Sequence, residues 1–316
     1  MSAPSIILIG AGGYLGGPVT RELLANCSRF NRIAILTEES KKQKFAEHKA
    51  KGFELVLKAF DSPDSFKGFD IVICMLGNHA MKYQPAIIDA AMAAGVTEFY
   101  PSEFGSDIGQ GDYLTNRYWR DKHITRQYLR NITKKNPGFN YTFLITGGFI
   151  EFALHPLFGM DIDKHTFTFY GPPEKQEALT AVHDVAKYLV ESVFLPKSPS
   201  QERIFRIPGG NYTWNDVVAT LERVQGVKYT CTYHPRQDAI DAQKACAEKG
   251  DVDGELAFSL KSLLGDINAV CVPKPWDNDK FSFKPATLEE AVRNFFEDLK
   301  RGEDRLARNF PMLSQS

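Results

Sequence analysis

Ile9-Gly10-Ala11-Gly12-Gly13-Tyr14-Leu15-Gly16-Gly17 decides how the rest of the chain is read. The stretch follows a short apolar run, Ser5–Ile9, and opens onto a helical pattern from Leu15 to Cys27. Gly10, Gly13 and Gly16 give the spacing G-x-x-G-x-x-G. Between a strand and a helix, such a loop is the context for a dinucleotide. Glycine permits a tight turn. A missing side chain lets backbone approach a pyrophosphate, and the helix N-terminus offers N–H groups and partial positive charge. The residues of this cradle are Gly10, Gly12, Gly13, Tyr14, Leu15 and Gly16. A glycine turn without a ligand, or a site for S-adenosylmethionine, would share the local pattern.

Outward from this loop, apolar runs of strand length alternate with helical patterns. Arg32–Leu36, Glu54–Leu57, Asp70–Met75, Glu98–Tyr100 and Tyr141–Thr146 read as buried parallel strands. Helices are expected near Met81–Ala94, ending at Gly95, and over Arg117 to Lys135. The alternation predicts a Rossmann-type doubly wound parallel sheet over residues 1–150. After Gly147-Gly148 the rhythm loosens, and residues 151–316 are expected to form a smaller α/β substrate-binding lobe. Part of 178–208 is expected to pack back on the first sheet. Strands are expected at Thr166–Tyr170, Arg203–Ile207 and Tyr229–Tyr233, and helices at Val182–Phe194, Trp214–Val224, Arg236–Lys249 and Leu288–Lys300. Thr213 with Asp216 reads as a helix-capping pair.

The bulk composition narrows the class. Lys plus Arg total 38 and Asp plus Glu 39, a net charge of −1, which gives no expectation of a nucleic-acid or membrane-surface partner. The five cysteines are scattered without C-x-x-C, so neither a disulfide framework nor a metal site is expected. Met1-Ser2-Ala3-Pro4 does not read as a signal peptide, and a cytoplasmic protein, monomer or homodimer, is expected.

Two further segments carry chemistry. Thr37-Glu38-Glu39-Ser40-Lys41-Lys42 follows the second strand, where the adenosine ribose is met. An acid such as Glu38 favours a free 2′-hydroxyl, whereas Lys41 and Lys42 could reach a 2′-phosphate. Tyr118 and Lys122 stand four apart in an expected helix, which places them on one face about 5–6 Å apart. A nearby cation stabilises phenolate, so the pair could act together as an acid. An incidental surface Y-x-x-x-K would look the same.

The chain resembles the NmrA-like/isoflavone reductase-like family of atypical short-chain dehydrogenases. The resemblance rests on Gly10–Gly16, on Gln84 to Gly105 read as Q-x6-A-x3-G-V-x-x-F-x-P-S-E-F-G, and on Lys122 with Arg126. Weaker echoes are Gly148-Phe149, Val182–Ala186 and Thr287–Glu290. It implies an NAD(P)H-dependent reductase of a small conjugated or aromatic metabolite, with NADPH expected ahead of NADH. Lys122 would contact the nicotinamide ribose and act as acid/base. Phe149 would lie near the nicotinamide, with Met75, Leu76 and Gly77 along the cofactor. Arg126, Phe152 and His155 are the substrate-side candidates. Thr37-Glu38 departs from the plant reductases, which carry an arginine there. Some members of the family bind the dinucleotide as redox sensors without turnover, and this is the rival reading.

Overall fold

A computed structural model describes residues 3–301. The first strand, β1 (Ser5–Ile9), is buried at every position. A strand with two apolar faces needs cover on both, which a parallel sheet flanked by helices supplies. It is joined by β2 (Arg32–Thr37), β3 (Glu54–Leu57), β4 (Ile71–Cys74), β5 (Glu98–Tyr100) and β6 (Asn140–Ile145). Strands β7 (Gly148–Phe149), β8 (Met160–Asp161), β9 (Thr166–Tyr170) and β10 (Gln176–Thr180) follow, then β11 (Glu202–Arg206), β12 (Gly210–Thr213) and β13 (Thr230–His234).

The large sheet has seven strands in the order β11-β6-β5-β4-β1-β2-β3. Ile9 pairs in parallel with Leu36 of β2 on one side and Cys74 of β4 on the other. The chain order therefore reverses at β1, and the crevice beyond the strand ends at such a reversal is where α/β sheets bind ligands. Helices α1 (Gly16–Ala25), α2 (Ala46–Ala50), α3 (Gln84–Ala93) and α4 (Arg120–Thr133) belong to the crossovers of this sheet. The doubly wound fold expected from the sequence is the one observed.

The chain forms two compact units, divided in more than one place where the sequence reading drew one division after residue 150. The first runs to Phe104 and adds Asp121–Leu144 and Ala186–Phe205. The second holds Gly105–Arg120, Ile145–Val185 and the described chain from Arg206 on. It contains the three-stranded sheets β12-β10-β7 and β13-β9-β8. Its core gathers Phe167, Phe169 and Trp214 with Leu221 and Val292. Its later helices are α5 (Ile150–Ala153), α6 (Val182–Ser192, which runs on into the first unit), α7 (Trp214–Gln225), α8 (Arg236–Glu248), α9 (Val252–Leu264) and α10 (Leu288–Lys300). Thr213 and Asp216 do form a capping box at the start of α7.

Two expectations change. Helix α9 is absent from the sequence reading because Gly254 interrupts its first turn; the Asp251 carboxylate accepts the Gly254 N–H at 3.0 Å and starts the helix regardless. Tyr118 lies not in α4 but in a preceding 3-10 turn, Arg117–Trp119. Its backbone N–H is taken by Asn116 Oδ1 and Ser259 Oγ at 3.0 and 3.1 Å. The four-residue helical spacing to Lys122 is therefore broken before the helix begins. Among the described residues no helix is long and apolar enough to cross a membrane.

Candidate functional site

The glycine loop turns where β1 ends. Gly10 has φ +82°, and a Cβ there would lie 2.6 Å from the Met75 carbonyl oxygen, so glycine is required by the approach of β4. A Cβ on Gly16 would lie 2.2 Å from the Ala11 oxygen, so glycine lets the helix seat against the loop. Gly13 differs: its φ is ordinary, and a Cβ would meet only the Gly10 oxygen, at 3.2 Å. The fold makes a weaker demand for glycine there than at Gly10 or Gly16. No side chain caps α1, whose N-cap position is Leu15. A bare helix start behind an open glycine is the shape a pyrophosphate fits. Met75 is buried, and Leu76 and Gly77 follow it beyond the end of β4.

At the other end of the loop the lysines separate. Thr37 is buried at the end of β2, and Glu38 starts a 3-10 segment, Glu39–Phe45. Lys41 pairs with Glu38 at 3.1 Å, and Lys42 pairs with Glu39. Lys44, which the sequence reading passed over, donates from Nζ to the Gly12 carbonyl at 3.0 Å. Its ammonium thus sits on the glycine loop. The signal was present: Lys41 and Lys42 each have an acid three residues earlier, and Lys44 does not.

Past β5, Ser102 and Glu103 are both buried. Ser102 Oγ donates to the Leu76 carbonyl at 2.6 Å, and its N–H donates to Gln84 Oε1 at 2.8 Å. The same amide, from Nε2, donates to Thr125 Oγ1 on α4 at 3.2 Å. Gln84, quoted above only as part of a motif, is therefore a tie between two strand-end loops and the helix that bears Lys122. Lys122 is 6% exposed, and burial lowers its pKa to about 8. The Glu103 carboxylate opposes that shift and the Arg126 guanidinium adds to it.

Arg126, expected on the substrate side, is paired inside the first unit. It is 4% exposed, with Nε and Nη2 on the two Glu103 oxygens at 3.0 and 2.8 Å. A buried guanidinium needs a buried carboxylate, and Glu103 supplies it. Phe149, Phe152 and His155 fall in the second unit with Tyr118. The Phe149 and Phe152 rings lie 5.2 Å apart, and Phe158 continues the row at 6.1 Å from Phe152. All three are half-buried, which leaves aromatic surface on that unit. The His155 backbone N–H closes a turn on the Phe152 carbonyl at 3.0 Å.

Comparison with known proteins gives a consistent picture. A family model described as the NmrA-like family matches residues 3–252. Oxidoreductase aprR of Aspergillus flavus is 29% identical over 231 residues, covering 72% of this chain and 76% of that protein. Phenylcoumaran benzylic ether reductase 1 of Arabidopsis thaliana is 24% identical over 251 residues, covering 76% of this chain and 80% of that protein. Leucoanthocyanidin reductase of Vitis vinifera, solved in a binary complex with NADPH, shares the fold with a TM-score of 0.75 at 18% identity. That superposition covers 93% of this chain and 99% of the grape enzyme.

Proposed function

The chain belongs to the NmrA-like family and is an NAD(P)-dependent oxidoreductase, and from that premise we propose that it reduces a small conjugated or aromatic metabolite with NADPH. The observation that carries the reading is a buried lysine, Lys122, on a helix that Thr125 and Gln84 tie to the strand-end loop at Ser102. A bound nicotinamide supplies the hydride. Gly13 and the open start of α1 hold the pyrophosphate, and Met75, Leu76 and Gly77 line the cofactor's edge. Lys44 holds the 2′-phosphate, because its ammonium already rests on the glycine loop while those of Lys41 and Lys42 are turned to Glu38 and Glu39. The NADPH complex of the grape reductase supports that cofactor preference.

Lys122 holds the proton. A pKa of about 8 keeps its ammonium largely charged at neutral pH yet able to release a proton as negative charge develops on the substrate. Tyr118 is assigned a supporting role, and Phe149, Phe152 and His155 the substrate side. The row of half-buried phenyl rings supports an aromatic substrate.

The test is NADPH oxidation, followed by nicotinamide absorbance, against a panel of phenolic and carbonyl compounds. Lys122→Ala should bind NADPH and lose turnover by about 10²–10⁴, the usual worth of a positioned acid. Near-normal turnover in that variant would remove the assignment. Tight binding without turnover of any compound by the unmodified protein would favour a sensor.

A further inference from the structure

We propose that Glu103 and Arg126 are positioning residues for Lys122: the clamped pair fixes the lysine's ammonium and sets its protonation without touching the substrate. The inference rests on the reading of Lys122 as the acid.

The geometry is that of a clamp. Arg126 follows Lys122 by one turn of α4, so both side chains leave the same face of the helix. Its guanidinium grips Glu103 through two parallel hydrogen bonds at 3.0 and 2.8 Å, a fork that fixes orientation as well as charge. The guanidinium also lies 4.8 Å from the centre of the Phe143 ring on β6, which holds it from the sheet side. Glu103 is 1% exposed, and its neighbour Ser102 is bound to Leu76 and to Gln84. The backbone that carries Glu103 is therefore pinned, and its carboxylate is held by the two bonds from Arg126.

Two cations and one anion share this buried ground. The charges acting on Lys122 include Glu103 from the loop after β5 and Arg126 from its own helix. Asp121 and His123 flank it on α4, each turned about 100° around the axis. If the pair were only a structural pin, removing either charge would loosen the site in the same sense. If it sets the lysine's protonation, the two removals must act in opposite directions. Losing the anion disfavours the ammonium, and losing the neighbouring cation favours it.

The experiment needs neither substrate nor cofactor. The full chain is labelled with 13C,15N-lysine, and the Lys122 Cε and Nζ resonances are assigned by their loss in Lys122→Arg. They are then titrated with pH. The unmodified protein should titrate near 8. Glu103→Gln, which is isosteric, should lower that value by at least about one pH unit, and Arg126→Gln should raise it. Arg126→Lys, which keeps the charge and loses the fork, should leave it close to the starting value. The double variant Glu103→Gln/Arg126→Gln should lie between the single variants. Should Arg126→Gln fail to fold with Glu103 unpaired, Glu103→Gln and the double variant decide. An unmoved value in Glu103→Gln, or shifts of the same sign in both single variants, would overturn the inference. Because the titration reads the ammonium directly, it stands apart from turnover. Loss of the function reading would show instead as an active Lys122→Ala.

Discussion

Glycine means something different at each turn of the nucleotide loop. Gly10 and Gly16 are demanded by the protein's own backbone, whereas a Cβ on Gly13 meets a single oxygen at 3.2 Å. Gly13→Val should therefore leave the circular dichroism spectrum unchanged and abolish NADPH binding in a calorimetric titration. Retained affinity in a folded variant would show that no pyrophosphate lies there. Lys44 carries the second expectation at this scale. A charge-assisted hydrogen bond to phosphate is worth about 1.5–3 kcal/mol, so Lys44→Ala should weaken NADPH about 10–100-fold and spare NADH. Lys41→Ala should do little, because it breaks only an exposed pair with Glu38. Equal losses for NADPH and NADH in Lys44→Ala would refute the phosphate contact.

At the scale of elements, the start of α6 shows how one helix end couples folding to pH. Both carboxylate oxygens of Glu151, on α5, take the Val182 N–H at 3.1 Å. Asp184 accepts the Ala286 N–H at 2.7 Å, just before α10. Burial pushes the Glu151 carboxyl up to about 7, from 4.5. The folded chain then keeps a proton that the unfolded chain releases between those values. Its stabilising contribution is full below 4.5 and is lost as pH rises towards 7. The melting temperature should fall by a few degrees across that window, on the order of 1–3 kcal/mol, and Glu151→Gln should flatten the slope. An identical slope in the variant would exclude Glu151 as its source. Such partners are where reading the sequence stops short. The Ser5–Ile9 run and the glycines after it announce the parallel sheet because burial and turn geometry are local properties. Lys122 is singled out by its motif, but its burial is not. The fork between Arg126 and Glu103 is not either, because it joins residues 23 apart in the chain through tertiary packing alone. Strands β7 and β8, of two residues each, leave no periodicity to read.

For the whole molecule, cofactor binding is a stability measurement. A ligand at about 100 times its Kd stabilises the folded chain by about 2.7 kcal/mol, so saturating NADPH should raise the melting temperature by several degrees. NADH at equal concentration should raise it less, and Gly13→Val should show no rise with either. A larger rise with NADH would reverse the cofactor assignment. The tie at Gln84 has a consequence for descent. One amide serves the Ser102 N–H and the Thr125 hydroxyl together, so a single substitution there strands the Ser102 N–H and leaves Thr125 with its bond to the Asp121 carbonyl. A lineage that loses Gln84 has to give the Ser102 N–H a new partner and loses the tie between that loop and the helix of its lysine. Gln84, Ser102 and Thr125 should therefore be inherited as a block, replaced jointly or left alone.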